Sequence, residues 1–316
     1  MSKSRVTVLG GTGFVGTQLC CRLAECFDEV ILLSRHSQRS RTLRILPNVF
    51  VEKTDVHDPA QLDAALTGSD VVVNLIGILN QSGQKSGNSF SGAHVTLTKS
   101  VVSICEQRQI PRYLHMSSLN ADEKNGSSEY LRSKGQAENV VLASKTLAWT
   151  IFQPSVIFGE GDSFFNRFSA LLTSLPVFPL ACPDARMAPV YVGDVVDSMM
   201  AALDNTDAVG KRIQLCGPAD YSLQELVEFT AETSNLKRKI IRLPDALARL
   251  QARVMEWVPG KPFSRDNYLS LQTDSVCSDK ACERQPTSIQ AIVPTYLGRY
   301  TGLNGRHQTR RELARR

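Results

Sequence analysis

From residue 5 to about residue 155, short apolar runs rich in β-branched residues alternate with longer stretches in which apolar residues return every three or four positions. The apolar runs are Arg5–Leu9, Glu29–Leu33, Val49–Glu52, Val71–Ile76, Tyr113–Met116 and Thr150–Phe152. The spacing between them predicts helices over Phe14–Cys26, Pro59–Leu66, Ala93–Arg108 and Ser128–Ser144. The runs carry little polar alternation, as expected of strands covered on both faces. Strand and helix repeated this often imply an α/β fold, a Rossmann-type doubly wound parallel sheet with right-handed crossovers. A ligand of such a sheet sits at the carboxyl ends of its strands.

After Pro154 the pattern changes. Prolines thicken through Pro176, Pro179, Pro183 and Pro189, and helices are expected at Gly193–Leu203, Ser222–Ser234 and Asp245–Trp257 with short strands between them. Residues 1–155 therefore read as a dinucleotide-binding domain. Residues 156–304 read as a smaller α+β substrate-side lobe interleaved with it, and residues 305–316 as a basic, disordered tail. The polar segment Cys277–Pro286 reads as a flexible loop.

Composition narrows the class. With 316 residues, 42% hydrophobic and 21% charged, the chain can bury a large core. No run approaches the roughly 18–20 apolar residues of a membrane span. Met1-Ser2-Lys3-Ser4-Arg5 runs straight into the first strand, which leaves no room for a secretory signal and predicts a cytoplasmic chain. The eight cysteines form no CxxC pair and no ligand spacing, so free, mostly buried thiols and no metal site are expected. A Cys277–Cys282 pairing is the minor alternative. The net charge of +5 gathers at Arg35–Arg44 and in the last arginines. No aromatic residues interleave with the latter, so a solvated end is favoured and no nucleic-acid partner is expected.

The first run leads into Gly10-Gly11-Thr12-Gly13-Phe14-Val15-Gly16, a GxxGxxG turn between a strand and a helix. Gly10 permits the sharp turn, Gly13 lets the backbone approach a pyrophosphate, and Gly16 allows close helix packing. The helix N-terminus then offers N–H groups and a positive dipole end to the phosphates. The end of the second strand separates the two nicotinamide cofactors. NAD(H) sites place a carboxylate there for the ribose 2′-OH. This chain has Ser34 and Arg35 instead, with Arg39 and Arg41 following. Those groups suit a 2′-phosphate, so NADP(H) is expected over NAD(H). Asp55 and Val56 are placed at the adenine, with a cap on the helix beginning near Pro59 as the plainer role for Asp55. Asn74-Leu75-Ile76-Gly77 ends the fourth strand near the cofactor, and Pro154-Ser155-Val156 is expected to close over the nicotinamide.

Tyr130 and Lys134 lie four residues apart, on one face of a predicted helix. A nearby ammonium lowers a phenol's pKa, so Tyr130 can exchange a proton with a carbonyl or hydroxyl near neutral pH. Lys134 can also hold the nicotinamide ribose. Ser117, thirteen residues before Tyr130 at a strand end, can polarise the reacting oxygen. His94 and His115 are read as packing residues. Asp194 is read as the N-cap of the helix that follows Pro189-Val190-Tyr191-Val192-Gly193.

The glycine turn, Ser117, Tyr130/Lys134 and Pro154-Ser155 occur in the order and spacing of the extended or atypical short-chain dehydrogenase/reductase superfamily, which the chain resembles. His115-Met116-Ser117-Ser118-Leu119-Asn120-Ala121, Ile157-Phe158-Gly159-Glu160-Gly161-Asp162 and Gly217-Pro218 make it similar to the branch holding the 39 kDa accessory subunit of respiratory complex I. That resemblance implies a Rossmann-type fold with NADP(H). It also implies a second function, a non-catalytic NADPH-binding accessory or sensor protein peripheral to a membrane-bound respiratory assembly. The first function is an NADP(H)-dependent oxidoreductase acting on a small carbonyl or hydroxyl compound. A third is an NAD-dependent nucleotide-sugar epimerase or dehydratase, disfavoured because the span from Ser118 to Tyr130 is short for that class. The absence of a mitochondrial presequence points to a bacterial relative.

Overall fold

The computed structural model describes residues 3–35, 43–81, 89–258, 262–277, 282 and 284–297. Within it the chain divides into two compact units, Met1–Pro154 with Val195–Gln214, and Ser155–Asp194 with Leu215–Arg316.

The first unit is built on a seven-stranded sheet. Its strands are β1 (Lys3–Leu9), β2 (Phe27–Ser34), β3 (Val49–Lys53), β4 (Val71–Asn74), β5 (Arg112–Met116), β6 (Ala148–Pro154) and β11 (Lys211–Leu215). They run across the sheet in the order β11-β6-β5-β4-β1-β2-β3. The pairs from β3 through to β6 are parallel, with Leu9 opposite both Leu33 and Asn74. Strand order therefore reverses between β1 and β4, the switch point at which a doubly wound sheet opens a crevice. The expected Rossmann-type α/β fold is the observed one.

Each strand follows its apolar run because both faces are covered. Val6, Val8, Val30, Leu32, Val72 and Leu114 have no exposed surface. Burying such a side chain is worth roughly 1.5–3 kcal/mol, which outweighs the modest backbone preferences of any one position. On one face Leu9, Leu33, Val72 and Ile151 join Leu62 and Leu66 of α2 (Pro59–Leu66), Val101 and Cys105 of α3 (Leu97–Gln107) and Val141 of α4 (Glu129–Ala143). Local chemistry sets the helix starts. Asp58 accepts from the N–H groups of Ala60 (3.0 Å) and Gln61 (3.3 Å) to begin α2, and Ser128 accepts from Leu131 N–H (3.1 Å) to begin α4. The cap of α2 is thus Asp58. Asp55 instead accepts from its own neighbour's backbone, His57 N–H, at 3.1 Å.

Two elements differ from the pattern. The fourth strand stops at Asn74, because its side-chain oxygen takes the Ile76 N–H at 3.1 Å and turns the chain. The long helix expected from Ala93 opens with a π-helical stretch, Ser91–Thr96, before α3. The wide turns carry His94, whose ring bonds to Ile78 and Ser133 rather than packing passively.

Among its described residues the second unit has three two-stranded sheets. β7 (Ile157–Phe158) pairs with β10 (Val190–Tyr191), β8 (Val177–Leu180) with β13 (Lys239–Arg242), and β9 (Arg186–Met187) with β12 (Tyr221–Ser222). Its core gathers Phe158, Phe165, Leu172, Leu226, Val227, Ile289 and Val293. These come partly from α7 (Leu223–Thr233), which opens on a Ser222/Glu225 capping box. Helices α5 (Phe165–Ser174) and α10 (Ile289–Leu297) are absent from the sequence reading. Flanking prolines mask the first and Pro294 interrupts the second, yet the apolar faces of both are held in this core.

Asp194 is the third residue of α6 (Val192–Asp204) rather than its N-cap. Its carboxylate accepts from Thr287 N–H (3.0 Å) and Oγ1 (2.8 Å), a partner 93 residues away that no local rule can supply. The thiols are not all free, because Cys216 and Cys277 form a disulfide across 61 residues. Both lie in loops with no spacing signature, and only tertiary packing brings them together.

Candidate cofactor and catalytic site

The glycine turn sits at the carboxyl end of β1. Gly10 has φ +80°, a left-handed conformation that L side chains rarely adopt, and its carbonyl accepts Gly13 N–H at 3.0 Å. Gly13 is the N-cap of α1 (Phe14–Leu23), and no side chain caps that turn. A Cβ at Gly16 would lie 2.4 Å from the Gly10 carbonyl oxygen and 2.6 Å from Gly11 Cα, so this glycine lets the helix close directly on the turn. At Gly11 a Cβ would fall 2.3 Å from the Cδ2 methyl of Leu32 on β2, a side-chain rather than a backbone contact. The structure thus presents a compact turn and an uncapped helix start, the arrangement that receives a pyrophosphate.

Ser34 ends β2 and is buried, while Arg35 follows it exposed to solvent. Arg35 acts on His57 across the gap to the β3–α2 loop, and burial followed by its charge opposes the effect of Asp55 and lowers the His57 pKa. Asp55 is exposed and Val56 buried. The carboxyl ends of β2 and β3 therefore hold Ser34, Arg35, Asp55 and Val56 together, with a cation facing solvent. Arg39 and Arg41 lie outside the described residues.

At the other side of the switch point the structure gathers Asn74, Gly77, His94, His115, Ser117 and Lys134. The Lys134 ammonium is buried and donates to the Met116 carbonyl at 2.9 Å. A Cβ at Gly77 would stand 3.1 Å from Lys134 Nζ and 3.7 Å from His94 Nε2, so the bare glycine backbone is what these two groups pack against. Burial pulls the Lys134 pKa down to about 8, with Glu138 one helical turn further on partly restoring it. Tyr130 begins the same helix, its ring edge-on to His94 with centroids 5.6 Å apart.

Two histidines frame this lysine. Ile78 N–H donates to His94 Nε2 (3.1 Å), so the proton sits on Nδ1 and is donated to Ser133 Oγ (2.8 Å), whose hydroxyl in turn donates to the Tyr130 carbonyl (2.8 Å). Burial, then the charges of Lys134 and His115, push the His94 pKa down to about 2. In the second chain Asn74 Nδ2 donates to Tyr113 Oη (3.3 Å), which shares a hydrogen bond with His115 Nδ1 (3.0 Å). His115 Nε2 is buried without a partner. Burial and Lys134 hold its pKa at about 3. Both rings are neutral, so Lys134 is the cation of the cluster.

Ser117 continues β5, its N–H donating to the Phe152 carbonyl at 2.8 Å. Ser117 Oγ and Ser118 Oγ are buried and reach no partner at bonding geometry, although Ser117 lies close to the Glu138 carboxylate. Glu138 is itself buried and accepts twice from Gln153 Nε2 (2.8 and 3.0 Å), with Arg212 at 3.6 Å. Burial raises its pKa, opposed by those partners. His94, His115 and Glu138 escaped the sequence reading as site residues. For Glu138 the available signal was its i+4 spacing from Lys134. The histidines carried none, because their partners lie on other elements. Leu75 and Ile76 sit against the turn, with Leu75 N–H on the Leu9 carbonyl at 3.0 Å. Pro154 ends β6, where its carbonyl takes the Leu119 N–H at 3.0 Å. Ser155 and Val156 belong to the second unit. There Ser155 Oγ donates to the Ser275 carbonyl (2.7 Å) and accepts from Ala188 N–H (3.2 Å).

The lysine makes a stability prediction. Its folded-state pKa of about 8 lies below the ordinary lysine value of about 10.4, so between those pH values the unfolded chain holds more protons. Stability must therefore rise as pH climbs through that window, by about 3 kcal/mol from this group. Urea unfolding at pH 7 and pH 10 is expected to show the rise in the natural chain. In Lys134→Met the rise should be missing, and an unchanged alkaline gain there would contradict the assignment.

These orphaned hydroxyls, the glycine turn and the buried ammonium match the needs of a nicotinamide dinucleotide. Residues 7–226 fit the model of the 3-beta hydroxysteroid dehydrogenase/isomerase family. The chain belongs to that family. With it come the NAD(P)-binding extended short-chain dehydrogenases/reductases that the motifs resemble. Mitochondrial NADH dehydrogenase (ubiquinone) 1 alpha subcomplex subunit 9 of Arabidopsis thaliana is 30% identical over 310 residues, covering 93% of this chain and 75% of its own length. The Mus musculus protein of the same name is 31% identical over 229 residues, covering 71% of this chain but only 59% of its own. Among solved structures, the Streptomyces venezuelae dTDP-glucose 4,6-dehydratase with NAD and TYD bound superposes with a TM-score of 0.72. It is 17% identical, with 95% of this chain and 98% of that one covered. This last likeness speaks for the fold. No helix among the described residues is long and apolar enough to cross a membrane.

Proposed function

We propose that this protein is an NADP(H)-dependent oxidoreductase of the short-chain type, acting on a small carbonyl or hydroxyl compound. The observation that carries this reading is the buried Lys134 ammonium, one turn after Tyr130 and against the bare backbone of Gly77. The turn Gly10–Gly16 and the start of α1 hold the pyrophosphate. Ser34 and Arg35 meet the 2′-phosphate, and Asp55 and Val56 the adenine. Asn74 to Gly77 line the strand end beside the cofactor. When bound, the nicotinamide supplies or accepts the hydride. Lys134 holds the ribose and tunes Tyr130, Tyr130 exchanges the proton with the substrate oxygen, and Ser117 Oγ, buried beside the Glu138 carboxylate, donates to that oxygen.

Mass spectrometry of the cofactor released from purified protein tests the first half of the proposal. NADP(H) is expected, and NAD(H) alone would favour the epimerase or dehydratase class instead. Oxidation of NADPH in the presence of a panel of small aldehydes and ketones tests the second half. For the cofactor choice, Arg35→Ala is expected to weaken NADPH binding about tenfold, roughly 1.4 kcal/mol, while leaving NADH binding unchanged. Equal losses for both cofactors would remove Arg35 from the 2′-phosphate.

A second reading, an accessory protein peripheral to a membrane-bound respiratory assembly, has support of its own. The subunit relatives carry it in part. So does α8 (Asp245–Met255), which buries Ala248 and Ala252 yet exposes Leu247 (50%), Leu250 (55%) and Val254 (58%), with Trp257 just beyond it 89% exposed. A helix with an outward apolar stripe is shaped for a partner surface. Under this reading the protein sediments with the membrane fraction of its host, and Leu250→Glu/Trp257→Glu releases it. Retention of the double variant would refute a role for this face.

A further inference from the structure

The second unit holds three sulfurs in one place. Cys216 is fully buried and bonded to Cys277, and Cys282, outside the disulfide, brings its Sγ to 3.1 Å from Cys277 Sγ. That separation is within the reach of a thiol poised on a disulfide, and the thiol points at the sulfur it would attack. Cys282 and Cys277 are both partly exposed, whereas no reagent can reach Cys216 directly.

We infer that Cys282, Cys277 and Cys216 form a thiol–disulfide relay, in which Cys282 is the entry through which a low-molecular-weight disulfide oxidises the buried Cys216. From the reduced state, the Cys282 thiolate attacks the small disulfide RSSR, forming Cys282–SR and releasing RS⁻. The Cys277 thiolate then displaces the second RS⁻ and forms the Cys277–Cys282 bond. Finally the Cys216 thiolate attacks Cys277, forming Cys216–Cys277 and returning Cys282 as a thiolate that takes up a proton. One disulfide is consumed, two RSH are released, and the protein loses two electrons and two protons. Reduction by a small thiol runs through the same bonds in reverse. Two residues after Cys282, the Arg284 guanidinium interacts electrostatically with it. It is fixed there by Asp220 at 2.7 Å and the Gly217 carbonyl at 3.1 Å.

The relay has a mechanical consequence. Cys216 follows Leu215, whose carbonyl takes the Ser155 N–H at 2.9 Å, and Cys277 follows the Ser275 segment that Ser155 Oγ holds at 2.7 Å. The disulfide therefore closes a ring of contacts around Ser155, and its state decides whether the two arms of that ring are covalently joined.

The test uses the full chain, reduced and then exposed to oxidised glutathione, with acid quenching, alkylation and peptide mapping over time. Early samples are expected to contain the Cys277–Cys282 linkage, and late ones Cys216–Cys277. Cys282→Ser should slow formation of Cys216–Cys277 at least tenfold. Cys277→Ser should accumulate glutathione on Cys282, because the resolving thiol is gone. Formation of Cys216–Cys277 at the natural rate in Cys282→Ser would overturn the relay. So would the absence of any glutathione adduct on Cys282 in Cys277→Ser, or of a Cys216–Cys277 bond in the oxidised natural chain.

Discussion

Gly16→Val is expected to lower dinucleotide affinity by roughly a thousandfold, about 4 kcal/mol, in a fluorescence or calorimetric titration. The reason lies in backbone atoms, which have no rotamer to give. A Cβ at this position stands 2.4 Å from the Gly10 oxygen and 2.6 Å from Gly11 Cα, and valine adds two further methyl groups. The turn and the start of α1 must then separate. Separation removes the alignment of the Gly13 turn with the first N–H groups of α1, which is where a pyrophosphate gains its hydrogen bonds and dipole interaction. Some global stability goes as well, since overpacking alone costs about 1–3 kcal/mol. The titration must therefore be made well below the variant's own melting temperature. Undiminished affinity in a folded variant would show that the cofactor does not rest on this turn.

Tyr130→Phe is expected to cut turnover by about a thousandfold while the cofactor still binds, within the span that a positioned acid–base group contributes. The ring and backbone contacts of residue 130 survive the change. The ring edge still meets His94, and Ser133 still bonds to the backbone carbonyl of residue 130 rather than to the side chain. The pH profile sharpens the test. With Lys134 at about 8 and both histidines neutral, activity that needs the ammonium should fall as pH rises past about 8. Any rate carried by the Phe variant should lose the proton-transfer limb of that profile. Full turnover in Tyr130→Phe would remove Tyr130 from the proton transfer.

The site was legible in the sequence to the extent that its residues announce themselves locally. The GxxGxxG spacing, the missing carboxylate after the second strand and the Tyr130/Lys134 pair are all short-range patterns on one element or one turn. His94 and His115 were read as packing residues, and in part they are, since burial keeps both neutral. Their hydrogen-bond partners lie elsewhere, however. His94 joins the loop after β4 to α4, and His115 belongs to a chain that crosses from β4 to β5. Glu138 is similar. Its neighbours Gln153 and Arg212 come from β6 and β11, which meet α4 only after the sheet has formed.

For the protein as a whole, the sequence alone determined six of the seven strands of the main sheet, their parallel run and the glycine turn at the end of β1. Burial on both faces of a sheet leaves a continuous apolar run, and a turn that must admit phosphate leaves glycine at fixed intervals. Only the tertiary structure decided what depends on distant residues meeting. It buried the Lys134 ammonium beside two neutral histidines and placed the Asp194 carboxylate on Thr287. It also brought Cys216, Cys277 and Cys282 to one point. A residue's charge state and its covalent partners follow from what surrounds it in space, and neither composition nor spacing encodes that environment. The glycine turn could be read before the fold was known, and the sulfur cluster only after it.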